Sequence, residues 1–273
     1  MQLPYYPGSK YKLLDVLLPR LLPLTEGAAM FVEPFVGSGA VTLAMMNRFP
    51  DLEYWLNDRD PTVACLWHAV RFHALELIKT IAAFHPSEES FYTYKAQLNA
   101  IEGVPATRQG RIEIGFKKLA LHRMSHSGFG GGIRGGRNQK LITKIDARWD
   151  ADQLIRTVQV IHNRFQLVRG VQITGFDYAT VITGTTKPAL IYCDPPYWAN
   201  RSNFYRYRLS LDEHERLAEI LKQTSHSWLL SHTNNQDIRR LYRWAQVESL
   251  DDYEWQLAIT PPRQGWGDQR TPV

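Results

Sequence analysis

Residues 29–58 read AMFVEPFVGSGAVTLAMMNRFPDLEYWLND, and this stretch decides the fold. Ala29-Met30-Phe31-Val32 is a short apolar run that predicts a strand. Gly37-Ser38-Gly39 breaks it, residues 40–48 carry a helical pattern, and Glu53-Tyr54-Trp55-Leu56 predicts a second strand ending at Asn57-Asp58. Strand, glycine turn, helix and strand make the unit of a doubly wound parallel sheet. Glycines at such a turn let the backbone come close to a ligand, and the helix N-terminus behind it favours a polar or anionic group. Asp58 follows Gly37 by 21 residues, the spacing at which an acid can accept hydrogen bonds from ribose hydroxyls.

Working outward, Leu13, Leu14, Leu17, Leu18 and Leu21 give residues 11–22 a helical apolar spacing. Residues 61–165 differ in character. Helices are expected over 62–84, 90–101 and 150–165, with a basic, glycine-rich stretch between the last two. From Val104 to Lys140 there are eight Lys or Arg residues against one acid, Glu113. After residue 166 the alternation returns, with strands at 171–174, 189–193 and 227–231 and helices at 211–222 and 237–244. The expectation is an α/β, Rossmann-like domain built from 1–60 and 166–273, interrupted by a mainly helical insertion, 61–165.

The strongest strand, Ala189 to Cys193, runs straight into Asp194-Pro195-Pro196-Tyr197. Two prolines at a strand end make a stiff turn that cannot rejoin a ladder. The carboxyl end of a parallel strand is also where such sheets bind ligands. An acid, an outward carbonyl and an aromatic ring together suit a planar amine: Asp194 accepts its hydrogen bonds, and Tyr197 stacks on its ring.

Bulk composition sets limits. The 273 residues suit one α/β domain with an insertion. No apolar run approaches the ~18 residues needed to span a bilayer, and the N-terminus lacks a signal-peptide layout. A cytoplasmic protein is therefore expected. The two cysteines, Cys65 and Cys193, form no Cys-x-x-Cys and read as buried fillers. His122 and His126 share a helical spacing without a third ligand, so no metal is expected. The net charge of +5 favours a polyanionic partner without proving one.

The glycine turn alone fits a nicotinamide cofactor, a flavin, S-adenosylmethionine, or no ligand. Thr42 occupies the place of the dinucleotide fingerprint's third glycine, which tilts away from nicotinamide. The residues Phe31 to Gly39, Leu56-Asn57-Asp58 and Ile191 to Tyr197 together resemble the Dam-type, alpha-order class of DNA adenine-N6 methyltransferases. Tyr6-Pro7-Gly8-Ser9-Lys10 is similar to that family's opening motif, with Pro7 and Ser9 departing from its usual Ala and Gly. The order also matches: cofactor motif, target-recognition insertion, catalytic motif.

The resemblance implies S-adenosylmethionine as methyl donor, double-stranded DNA as partner, no metal, and a monomer. It implies that Tyr6, Gly8 and Lys10 line the cofactor and target pocket. Glu33, Pro34, Phe35, Gly37, Ser38 and Gly39 would surround the methionine part of the cofactor, Asp58 its ribose and Asp177 its adenine. Asp194, Pro195, Pro196 and Tyr197 would hold the target amine, with Asp194 also bordering the cofactor. The target base would have to leave the duplex to reach them.

In the basic stretch, Lys117, Lys118, Arg123, Arg134, Arg137 and Lys140 are candidate phosphate contacts, with Phe129 as a wedge; a solvated basic loop is the plainer alternative. Arg201, Phe204, Tyr205, Arg206, Tyr207 and Arg208 follow the catalytic motif and fit either a clamp on the flipped strand or a packed aromatic loop. His232 fits the pocket or a capping role. RNA adenine, cytosine and protein glutamine remain competing acceptors, and a non-catalytic binding protein with this fold is the reading from another class. The glycine-rich recognition loop is compatible with low sequence specificity.

Overall fold

In the computed structural model, residues 3, 9–126, 130–198, 206–250 and 253–262 are described, those at 137, 254 and 255 without their side chains. A helix α1 (Leu14–Leu21) leads into β1 (Met30–Glu33), α2 (Ala40–Arg48) and β2 (Glu53–Asn57). Five helices follow: α3 (Pro61–Phe72), α4 (Ala74–Ala83), α5 (Glu88–Asn99), α6 (Arg108–Met124) and α7 (Ala151–Gln166). The chain then returns through β3 (Gly170–Thr174), α8 (Tyr178–Thr183), β4 (Ala189–Cys193) and α9 (Leu211–Gln223). It closes with β5 (Ser227–Thr233), α10 (Gln236–Leu241), β6 (Gln246–Leu250) and β7 (Tyr253–Thr260).

The sheet runs β3-β2-β1-β4-β5-β7-β6. Strands β1 to β5 pair in parallel; β7 pairs antiparallel with both β5 and β6. The chain winds outward from β1 to β3 and then crosses to β4 on the other side of β1. That reversal puts the carboxyl ends of β1 and β4 side by side, in register Val32↔Ile191. A doubly wound sheet opens its ligand crevice at such a reversal.

Alternation along the strands divides the core. Phe31, Tyr54, Leu56, Leu190, Tyr192 and Leu229 face one side, in a cluster shared with α1 to α7. Val32, Trp55, Ile191, Cys193, Trp228 and Leu230 face the other, against α8 to α10. With helices on both faces, the central strands carry apolar residues at nearly every position, and all five residues of β4 are buried. Helices α3 to α7 lie between β2 and β3 and share the first of these cores with the sheet.

Two helices depart from expectation. The apolar pattern over 62–84 is one run in sequence, but His73 adopts non-helical torsions (φ −139°, ψ 36°) and divides it into α3 and α4. No glycine or proline marks the break; α3 packs on α6 while α4 turns to α7, so tertiary packing overrides the pattern. The stretch expected to be basic and glycine-rich holds the 17-residue helix α6, capped by Thr107, whose Oγ1 accepts from the Gly110 amide at 3.1 Å. Its Gly115 lies against the α3 backbone: a Cβ there would stand 2.7 Å from the Cys65 carbonyl oxygen. The glycine that weakened the helical signal is thus the one that lets the two helices approach. Cys65 and Cys193 are buried free thiols. No helix among the described residues is long and apolar enough to cross a membrane.

Candidate active site

The glycine turn after β1 is rigid because its parts hold one another. Gly37 and Gly39 have positive φ (43° and 65°), a region favoured by glycine. The Gly39 turn also leaves no room for a side chain, since a Cβ would meet the Trp67 ring at 2.5 Å. Trp67 Nε1 donates to the Gly37 carbonyl at 3.0 Å. On the other side, Asp58 Oδ2 accepts from the Gly37 amide at 3.0 Å while Oδ1 accepts from the Asp60 amide at 2.9 Å. Burial, with the charge of Asp60 next, pushes the Asp58 carboxyl up to about 7.

Asn57, fully buried, joins two loops. Its amide donates to the Pro34 and Phe176 carbonyls, and its Oδ1 accepts from Thr174 Oγ1 and the Phe176 amide. All its partners are internal, so it fixes the β1 and β3 loops relative to each other. Glu33 is likewise buried and accepts from both the amide and the hydroxyl of Thr42. Burial outweighs those bonds and pushes its carboxyl up to about 8, with the nearby Asp194 charge adding to the rise.

Asp194 stands beside this turn at the end of β4. Its Oδ2 accepts from Lys10 Nζ at 2.6 Å and its Oδ1 from Ser231 Oγ at 2.9 Å. The Lys10 ammonium also sits 4.8 Å from the centre of the Tyr197 ring. Tyr197 donates its hydroxyl to Gln256 Oε1 at 2.9 Å. His232 packs on Tyr197 with ring centres 5.0 Å apart, and its Nε2 accepts from the Trp198 amide at 3.3 Å. Burial, then the neighbouring His214, holds the His232 imidazole down to about 3, so it is a neutral acceptor.

A single pocket joins the two motifs. Of the residues expected from sequence, Lys10, Glu33, Phe35, Gly37, Ser38, Asp58, Asp194 and Pro196 line it. Pro34, Gly39, Asp177, Pro195 and Tyr197 are not part of the lining. Asp177 caps α8 through the Ala179 amide at 3.0 Å and approaches Arg216 at 3.4 Å. Tyr6 and Gly8 lie outside the described residues, as do Phe129, Arg201, Phe204 and Tyr205. Among the described residues, no group of three or more His, Cys, Asp or Glu side chains is placed to hold a metal ion.

Sequence reasoning missed several parts of this site. Arg59 and Asp60 line the pocket, next to the acid that the spacing singled out. Arg206 and Tyr207, which the sequence offered as a clamp or a packed aromatic loop, line it too. Arg206 donates to the carbonyls of Leu98, Asn99 and Ile101 at the end of α5. The Tyr207 ring lies near two guanidinium groups, Arg206 at 5.2 Å and Arg59 at 5.7 Å. The interleaved arginine and aromatic residues were the available signal. Ser231 and Gln256 carried none, because single polar residues in apolar strands have no motif.

The candidate phosphate contacts divide. Lys118 turns inward and pairs with Asp60 at 2.8 Å, both largely buried. Burial alone would raise Asp60, but the Lys118 ammonium and the Thr62 bonds hold it down to about 2. Arg123 donates to the Leu3 carbonyl. Arg134, 6% exposed, ties the loop after α6 by donating to the Ser125 and His126 carbonyls. These three were expected as phosphate contacts or on a solvated loop; the structure commits them to internal bonds, Lys118 and Arg123 because α6 packs its basic turns against the domain, and Arg134 because it closes the loop after α6. Lys117 pairs with Glu113 one turn away, Lys140 is exposed, and the Arg137 side chain lies outside the described residues.

Residues 6–257 match the family model of the D12 class N6 adenine-specific DNA methyltransferases. The chain belongs to this family. The methyltransferase is also similar to the DNA adenine methylase of Salmonella typhi and to that of Salmonella typhimurium strain LT2. Each is 25% identical over 255 residues, covering 90% of this chain and 84% of the relative. The family supports DNA adenine methylation as the reaction, and the resemblance of the Asp194-Pro195-Pro196-Tyr197 and glycine-turn motifs leads to the same conclusion.

Proposed function

We propose that the enzyme binds S-adenosylmethionine in the pocket between the glycine turn and Asp194, and that Asp194 and Tyr197 receive an adenine flipped from double-stranded DNA. The observation that carries this reading is the shared pocket lined by Gly37, Ser38, Asp58 and Asp194. The donor set fits that cofactor. Glu33, Asp58, Asp60 and Asp194 line it together with Lys10, Arg59 and Arg206, so it offers acceptors and donors to a ligand that carries charges of both signs. The close backbone at Gly37 leaves room for one to lie against the turn.

When bound, the cofactor supplies a methyl group already activated on a sulfonium. Positioning is then the protein's main task. Asp58 and Glu33 are the acceptors for the cofactor's hydroxyls and ammonium. Asp194 accepts an N–H of the adenine amine and so turns the nitrogen lone pair into the pocket. Pro195 and Pro196 keep the turn stiff, while Tyr197, anchored by Gln256, stacks on the base. Flipping costs a few kcal/mol, offset by this stacking and edge hydrogen bonding.

Helices α3 to α7 and the loop after α6, residues 61–165, are proposed to approach the DNA, with Arg137 and Lys140 as the phosphate contacts; Lys117, ion-paired with Glu113 and as little exposed as Lys118, is set aside with it. The enzyme acts as a monomer in the compartment that holds the DNA, the cytoplasm in a bacterial cell. Mass spectrometry of nucleosides from DNA incubated with enzyme and S-adenosylmethionine tests the reading, beside an Asp194→Ala control. N6-methyladenine formed only by the parent protein is the expected result. Tight cofactor binding with no methylated base would overturn the acceptor, and equal product from both proteins would overturn the role of Asp194.

A further inference from the structure

Asp194 belongs to a hydrogen-bond chain that begins in the core of the sheet. Strands β4 and β5 are parallel, with Tyr192↔Leu229 and Cys193↔Leu230 in register. Side chains two apart on a strand share a face. Continued by one step, the register puts Ser231 next to Asp194, on the same face as Tyr192. The distances agree: Ser231 Oγ lies 2.8 Å from the Tyr192 hydroxyl and donates to Asp194 Oδ1 at 2.9 Å. Tyr192 and Ser231 are fully buried.

Counting protons gives the chain a direction. A serine hydroxyl has one hydrogen. If that hydrogen goes to the Asp194 carboxylate, the Tyr192 hydroxyl must supply its own to Ser231. Burial, then the Asp194 charge, raises the Tyr192 phenol well above its ordinary value, so its proton stays available to donate. The chain is therefore Tyr192 to Ser231 to Asp194 Oδ1. Hydrogen bonds to an ionised acceptor are the stronger kind, and a chain of donors polarises each member. Meanwhile Oδ2 accepts from Lys10, which lines the pocket together with Asp194.

We propose that Ser231, oriented by Tyr192, is a positioning residue that locks the rotation of the Asp194 carboxylate, leaving Oδ2 as the oxygen that takes the adenine amine. The proposal rests on the reading that Asp194 receives the amine. Lys10 still holds Oδ2, but without Ser231 the carboxylate turns about that contact, the amine is held less well in line, and the loss falls on the transfer step instead of on binding.

The test is single-turnover methyl transfer to adenine-containing DNA by the full-length enzyme, with the dissociation constant for S-adenosylmethionine measured separately. Ser231→Ala, Ser231→Thr, Tyr192→Phe, the Ser231→Ala/Tyr192→Phe double variant and Asp194→Ala are compared. Misplacement of a reacting group can cost on the order of 100-fold in rate. Ser231→Ala is expected to lose a large part of that with cofactor affinity changed less than about twofold, and Ser231→Thr to recover most of it. Tyr192→Phe should cost less, and cost nothing further in the Ser231→Ala background, since coupled groups are not additive. A Ser231→Ala rate equal to the parent's, or independent losses in the double variant, overturns the proposal. Should Ser231→Ala not fold, Tyr192→Phe decides: a slower transfer at unchanged affinity supports the chain, and an unchanged rate overturns it. Full activity in Asp194→Ala would instead overturn the reading beneath it.

Discussion

Lys10 and Asp194 are 184 positions apart in sequence and meet at 2.6 Å, the ammonium against Oδ2 of the carboxylate. The contact closes the site, because it links the segment before α1 to the turn after β4. It also engages the carboxylate within the pocket. The oxygen proposed to accept the adenine amine is already engaged, so the incoming amine either shares it with Lys10 or displaces it.

Replacing Asp194 by Asn keeps its shape but turns one acceptor oxygen into an amide that donates. The Lys10 ammonium has only donors, so the amide keeps its oxygen there and turns its NH2 to Ser231, and the amine meets a neutral acceptor in place of a charged one. Methyl transfer is expected to fall by about 100-fold or more, the scale of a lost group that acts in the transition state. Single-turnover rates with saturating DNA and cofactor check this, and a rate within a fewfold of the parent's would sink the assigned role.

Burial of Glu33 makes folding stability sensitive to pH. Its carboxyl is raised from an ordinary 4.5 to about 8, chiefly by burial. Between those two values the folded protein holds a proton that the unfolded chain has lost. Folding stability therefore falls as pH rises through this window, and the contribution is gone above about 8. Glu33→Gln, neutral at every pH, should flatten that decline. Thermal unfolding followed from pH 5 to 9 in parent and variant reads it directly; parallel curves would show that Glu33 is not responsible.

Gly39 is a packing position as much as a turn. It adopts φ 65°, and a Cβ would meet the Trp67 ring at 2.5 Å. Gly39→Ala combines backbone strain with overpacking and should cost roughly 1–3 kcal/mol. Trp67 can yield only by releasing the Gly37 carbonyl it holds, so cofactor affinity should fall with stability. Denaturant unfolding and a cofactor titration are the measurements, and a variant as stable as the parent would contradict the geometry.

The fold was readable from residues 29–58 and 189–197 because strand, glycine turn and proline turn each carry a local signature. Both predicted edges of α2, Ala40 and Arg48, coincide with the structure. Asn57 and Ser231 were not readable, since their work lies in contacts with residues distant in sequence. Helix α6 was hidden for a related reason. Gly110, Gly115 and its basic residues imitate a loop, and only the close approach of α3 explains the second glycine. The same composition made Lys118, Arg123 and Arg134 look like a solvent face. Charge counts along a chain give no direction to a side chain, and the Asp60 that receives Lys118 is 58 positions away.

That difference can be measured, because Lys118 and Lys140 now carry opposite expectations. Lys118 is a largely buried partner of Asp60. Lys118→Ala leaves the Asp60 carboxylate without that cation and should cost about 2–3 kcal/mol of stability. Lys140 is exposed, so Lys140→Ala should leave stability unchanged. If Lys140 meets a phosphate, its loss weakens DNA binding across all sequences and lowers the slope of log affinity against log salt by about 1. Lys118→Ala should leave that slope alone when measured at a temperature where the variant is folded. Salt titrations of both variants, with unfolding curves beside them, separate the two roles. A reduced slope for Lys118→Ala, together with full stability, would return Lys118 to the DNA.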